Sequence, residues 1–264
     1  MVIDFHTHCF PDTIAEKAMG TLAQNAGNAI PVFDGTVGGL TAYLEQHHID
    51  KAVVLHIATN QKQQKNVNNF AASINNSGRL ISFGSVHPFA PDVLDELERI
   101  QSLGMKGIKF HPDYQDFFVD DPAVFPVYQK AARLGLVTVF HSGVDLEFFE
   151  PVHCSPERLR RALPQFDGAP VVAAHWGGYM SLYETEKHLV GQPVFFDTSF
   201  AYGRVPQQHA KRILARHGAD KILFGSDMPW SATHDELRMI ESLGLSQSEF
   251  EAVTYKNAER LLGM

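Results

Sequence analysis

The amino-acid sequence predicts a (β/α)8 barrel, on three observations. Eight short apolar runs alternate with helix-like segments from end to end, each run is apolar on both parities, and histidine or aspartate recurs where runs end. The 264 residues, 44% hydrophobic and 20% charged, suit one large domain, 1–264, with a full core. A doubly wound sheet is the other fold that such alternation admits.

The runs are 2–6, 52–57, 80–86, 107–111, 136–141, 171–175, 194–198 and 221–225, all rich in Val, Ile, Leu and Phe. Strands covered on both faces read in this continuous way, as in parallel sheets. Between them lie helical periodicities. Leu94, Leu97, Ile100 and Leu103 recur at intervals of three, and Phe125, Tyr128, Ala132 and Leu134 follow Pro122. Segments 41–48, 62–77, 156–163, 179–188, 206–217 and 232–242 fill the other slots, and 247–262 closes the chain with Phe250, Val253, Ala258, Leu261 and Leu262 on one stripe. Strands joined by helices imply parallel pairing through right-handed crossovers. The longest irregular connections are expected at 9–40 and 142–155. Both follow strands, so both are read as lid or specificity elements, the first above all.

Composition excludes several functions. The net charge of −8 argues against nucleic acid and anionic membranes as partners. The two cysteines, Cys9 and Cys154, cannot build a disulfide framework and read as reduced thiols of a cytoplasmic protein. The sequence lacks an apolar run of about 20 residues and a basic-then-apolar leader, so neither a transmembrane helix nor a signal peptide is expected. A small molecule is the expected substrate. A homodimer is the assembly to test, since dimers are common among soluble proteins.

Histidine is the unusual count, at 14. The first run ends Asp4-Phe5-His6-Thr7-His8. Side chains two apart on a strand point the same way, about 6–7 Å apart along the backbone. Two imidazoles so placed can converge on one metal ion. The fifth run ends at His141, the sixth at His175 before Trp176-Gly177-Gly178, and the eighth runs into Ser226-Asp227-Met228-Pro229. In a barrel, these scattered positions meet at one mouth, where the active sites of this architecture sit.

This ordered set, with the phrases IDFHTHCFP, AHWGG, LFGSDMPW and NAERLLG, resembles the amidohydrolase superfamily, and more narrowly its amidohydrolase-related branch that includes aminocarboxymuconate semialdehyde decarboxylase. The resemblance runs from residue 2 to about 262. It implies His6, His8, His141 and Asp227 as ligands of one divalent metal ion, with zinc expected and manganese or others accepted. It implies His175 as an acid–base or polarising group. Asp227 would double as the proton carrier between water and leaving group.

Lys109, on the fourth run with His111, admits three readings: a binder of a substrate carboxylate, a lysine tied by a salt bridge, or a lysine carboxylated by CO2 that bridges a second metal ion. His111, Trp176 and Arg204 are further candidates for substrate binding. Asp4, below His6, reads as structural or as a hydrogen-bond acceptor supporting a metal-bound histidine, and Asp197 as such an acceptor or as a helix cap. Hydrolysis of a small amide, ring amide or lactone is the expected reaction. Non-oxidative decarboxylation of an unsaturated or aromatic acid is the alternative, ranked second because the chain looks short for that subgroup.

Overall fold

All eight expected strands form, and all are short. The structure, a computed structural model, describes residues 1–25 and 30–264. The strands are β1 Ile3–Thr7, β2 Lys51–Leu55, β3 Leu80–Phe83, β4 Gly107–Phe110, β5 Val137–Phe140, β6 Val171–Ala173, β7 Phe195–Asp197 and β8 Ile222–Leu223. Several end one to three residues before the apolar run does. The backbone explains this where it turns: His175, Trp176 and Asp227 all have positive φ, which breaks an extended ladder.

The helices between them are α1 Asp12–Asn25, α2 Val37–Gln46, α3 Gln64–Ile74, α4 Val93–Ser102, α5 Phe125–Arg133, α6 Pro156–Ala162, α7 Leu182–His188, α8 Gln207–His217 and α9 Thr233–Ser242. The last segment divides into α10 Gln247–Glu251, a π turn over Ala252–Lys256 and α11 Asn257–Leu262. Ser246 and Glu249 start it as a capping box. The expected irregular connection 9–40 needs correction, because α1 occupies much of it with Ala15 and Met19 buried. Polar residues around those two hide the helical stripe in the sequence. Residues 26–29 of that connection lie outside the described residues.

The chain gathers into two compact units. The first comprises 1–54, 76–81 and 197–264, and the second 55–75 and 82–196. In the first, β1 pairs parallel to β2, with Ile3 opposite Lys51 and Asp4 opposite Ala52. Its other edge bonds to the chain after β8, through Phe5 N–H to the Phe224 carbonyl at 2.8 Å. In the second, β4, β5 and β6 pair parallel in register, Ile108 with Thr138 and Val139 with Val172. Its core is aromatic: Phe110 stacks on Phe140, and Tyr128 stacks on Phe166 at 4.8 Å. Gly107 is needed there, since a Cβ would sit 2.3 Å from the Phe83 ring and 2.5 Å from the Val137 carbonyl oxygen. Among the described residues, no helix is long and apolar enough to cross a membrane.

Candidate functional site

In the first unit, backbone pairing brings His6, His8 and Asp227 together. Asp227 N–H donates to the His6 carbonyl at 2.8 Å, and His8 N–H donates to the Met228 carbonyl at 2.7 Å. Gly225 permits this approach, because a Cβ there would lie 2.9 Å from His6 Cβ. Asp227 itself has φ +71°, a conformation that Asp tolerates better than most residues.

The His6 ring is fixed from behind. Its Nδ1 lies 2.8 Å from Asp197 Oδ2, and both groups are buried. Asp197 Oδ1 accepts the Ser199 hydroxyl and the Ser199 N–H. Nδ1 therefore donates its proton to Asp197, which leaves Nε2, 3.2 Å from Asp227 Oδ1, as the nitrogen that can offer a lone pair to a cation. His8 Nε2 lies 3.1 Å from the same oxygen. Below them, buried Asp4 accepts N–H bonds from His6 and Ser226 and the Thr233 hydroxyl. Burial pushes its carboxyl up to about 7 against those bonds.

This donor set fits a divalent ion. Two imidazole Nε2 atoms converge on one carboxylate oxygen at 3.2 and 3.1 Å, a set of nitrogen and oxygen donors that a cation could draw together. Bonds of about 2.0–2.1 Å at tetrahedral angles place neighbouring ligand atoms about 3.3–3.4 Å apart, close to the 3.2 and 3.1 Å from Asp227 Oδ1 to the two imidazoles.

The second unit holds another imidazole cluster. His141 Nδ1 lies 3.1 Å from His175 Nε2. On its other face, the His141 ring stacks on His111 at 4.1 Å and 14°. Asp145 Oδ2 stands 3.4 Å from His111 Nε2 and 3.9 Å from His141 Nε2. Burial first, then the neighbouring His111 and His175, hold His141 well below the usual imidazole range, so it is neutral near pH 7. Lys109 is buried on β4.

The sequence candidates thus fall into place unevenly. Within the first unit His6, His8 and Asp227 meet, and within the second His141 meets His175 and His111. Asp4 and Asp197 both proved to be buried acceptors, of His6 N–H and Nδ1 respectively. Trp176 is wholly buried, and its indole N–H has no hydrogen-bond partner among the described residues. Arg204 is exposed, lies 3.8 Å over the Phe200 ring and donates to the Tyr202 carbonyl. Sequence reasoning missed Ser199 and Asp145. Ser199 shares parity with Asp197, which was a usable signal. Asp145 lies in a loop with no periodicity to mark it.

The alternation of strands and helices and the strand-end histidines define a (β/α)8 protein whose His and Asp groups can hold a metal. The chain belongs to the amidohydrolase family, whose model matches residues 3–264. It is therefore a member of an enzyme superfamily. No curated protein sequence matches it. Solved structures resemble it over their full length. A 2,6-dihydroxybenzoate decarboxylase, solved with 2,6-dihydroxybenzoate, superposes with a TM-score of 0.76 at 14% identity, covering 100% of this chain and 99% of its own. A 5-carboxyvanillate decarboxylase from Sphingomonas paucimobilis gives 0.75 at 13%, covering 100% and 99%. A Pseudomonas putida protein assigned as a 2-pyrone-4,6-dicarboxylic acid hydrolase gives 0.67 at 16%, covering 99% and 97%. At these identities the likeness establishes the fold. It also corrects one expectation: the chain spans nearly all of both decarboxylases, so its length does not separate it from them.

Proposed function

We propose that the protein is a metal-dependent enzyme that hydrolyses a C–N or C–O bond beside the carbonyl of a small substrate. The observation that carries this reading is the convergence of His6 Nε2, His8 Nε2 and Asp227 Oδ1, with the His6 tautomer set by Asp197. His6, His8 and Asp227 would hold the ion. His141, as fourth ligand, and His175, as acid–base group, enter on the strand-end order of the sequence. A divalent ion there supplies Lewis acidity and water activation, lowering the pKa of water to about 7.

The chain's own groups do the rest. Asp197 keeps the proton on His6 Nδ1, so Nε2 stays a donor of its lone pair. Asp227 takes a proton from the attacking water at its carboxylate and returns it to the leaving nitrogen or oxygen. Its backbone bond to His6 keeps that carboxylate beside both imidazoles through the transfer.

Decarboxylation is the second reading, favoured by the full-length superposition on two decarboxylases. The test is to assay lactones, ring amides and aromatic acids with metal-replete protein in water enriched in 18O. Incorporation of 18O into an acid product supports hydrolysis. Release of CO2 without incorporation overturns it in favour of the lyase. Absence of bound metal after purification without chelators would sink both.

A further inference from the structure

The second imidazole cluster contains a group that neither reading uses. Asp145 sits in the loop after β5, and its backbone is tied down locally. Its Oδ1 accepts Glu147 N–H at 2.8 Å, and its carbonyl accepts Phe148 N–H at 3.2 Å. The neck of the loop is closed by Gly143 N–H to the Cys154 carbonyl at 2.9 Å and by Val144 N–H to the Tyr179 carbonyl at 2.9 Å. That leaves Oδ2 directed at the outer edges of two stacked rings, His111 and His141.

The proton positions follow from the neighbours. His111 Nδ1 accepts Tyr114 N–H at 3.4 Å, so its proton is on Nε2 and faces Asp145. His141 Nε2 is buried and has no hydrogen-bond partner among the described residues. It therefore meets the Asp145 carboxylate at 3.9 Å either as an N–H or as a lone pair. An N–H pointed at a negative charge is attracted, and a lone pair is repelled. With the proton on Nε2, His141 Nδ1 becomes the nitrogen with the lone pair, on the side of His175 Nε2.

We propose that Asp145 is a positioning residue that fixes His141, together with His111, in the Nε2–H tautomer and so keeps His141 Nδ1 available as a ligand or proton acceptor. Carboxylates that hold the second nitrogen of a ligating histidine act in this way. The loop 142–155 is then a support for the imidazole as well as a boundary of the site. The consequence for metal affinity rests on the metal-dependent reading above, but the tautomer itself does not.

The test reads histidine side-chain 15N shifts in the full-length protein at pH 8, assigned with His111→Gln and His141→Gln. In the parent protein, His111 and His141 should both show protonated Nε2. Asp145→Asn keeps an Oδ1 acceptor for the turn and removes the charge. It should move His141 toward the Nδ1–H form and weaken metal binding about 10–100-fold. Asp145→Glu should restore part of both. Thermal unfolding checks that each variant is folded. A parent His141 already protonated at Nδ1 would overturn the proposal, as would an unchanged tautomer in folded Asp145→Asn. Weaker metal binding with an unchanged tautomer would also overturn it, since Asp145 would then act through the fold. If the protein binds no metal, the metal-dependent reading fails while the 15N measurement still decides this one.

Discussion

The two imidazole clusters are built on opposite plans. In the first unit, the His6 ring is locked by a buried carboxylate, Asp197, which a neighbouring hydroxyl, Ser199, holds in turn. All of that support comes from strand ends. In the second unit, His141 leans on other rings, His111 and His175, and its carboxylate comes from a loop at a longer distance. The first arrangement orients the His6 ring so that Nε2 faces Asp227. The second sets a neutral His141 against the rings of His111 and His175, with a loop carboxylate at its edge. Rigid support suits a group whose geometry must match a cation within a few tenths of an ångström.

The hardest test of this contrast removes the shared carboxylate. Asp227→Asn should abolish most metal retention and lower turnover by about 10²–10⁴-fold, the usual worth of a positioned proton carrier. Metal per chain by elemental analysis and kcat on any substrate found are the measurements. Unchanged turnover would remove Asp227 from the role assigned to it. Asp197→Asn comes next. It leaves all three proposed ligands of the first cluster in place and frees the His6 tautomer, so metal affinity should fall about 10–100-fold with little change in fold. An unaffected affinity would mean that His6 needs no support from behind, and the contrast between the clusters would collapse.

Much of this was legible in the sequence, and the reason is geometric. Strand-end positions are fixed by apolar run length, so His6, His8, His141, His175 and Asp227 could be read from where each run stops. The parallel pairing of successive strands was legible from their alternation with helices. What could not be read lies where the periodicity fails. Helix α1 hides because only Ala15 and Met19 of its face are buried. Asp145 hides because a loop residue's direction depends on turns, here the bond from Glu147 N–H, that leave no pattern. Arg204 was a candidate for substrate binding on residue type alone, and the structure shows its guanidinium already placed over Phe200.

A third prediction concerns the way the first unit spends buried carboxylates. Glu236, on α9, accepts the N–H groups of Ala201 and Tyr202 and the Ser231 hydroxyl. It therefore holds the chain that follows Asp197 and Ser199. Burial pushes its carboxyl up from 4.5 to about 7. The folded protein then binds this proton more tightly than the unfolded chain does. Its contribution is fully present below pH 4.5 and is lost as pH rises toward 7, by about 3 kcal/mol if the whole shift is expressed. Glu236→Gln should remove that part of the slope. Urea unfolding at pH 4.5 and 7.5 measures it, and an identical slope in parent and variant would assign the pH dependence to other groups.

The smallest effect is expected at Arg204, and it separates the loop from the cluster behind it. The side chain is exposed, so its stacking on Phe200 and its bond to the Tyr202 carbonyl contribute about 0.5–1 kcal/mol to stability at most. Arg204→Ala should therefore shift the unfolding midpoint only slightly and leave metal content unchanged. If Arg204 clamps a substrate carboxylate, KM for an acidic substrate should rise about tenfold or more while kcat holds, because a charge-assisted bond lost from an exposed site costs binding before chemistry. Arg204→Lys should recover the charge but not the paired N–H groups, and so only part of that loss. An unchanged KM would leave Arg204 as a residue that packs its own loop. Substrate recognition would then fall to the buried groups around His111.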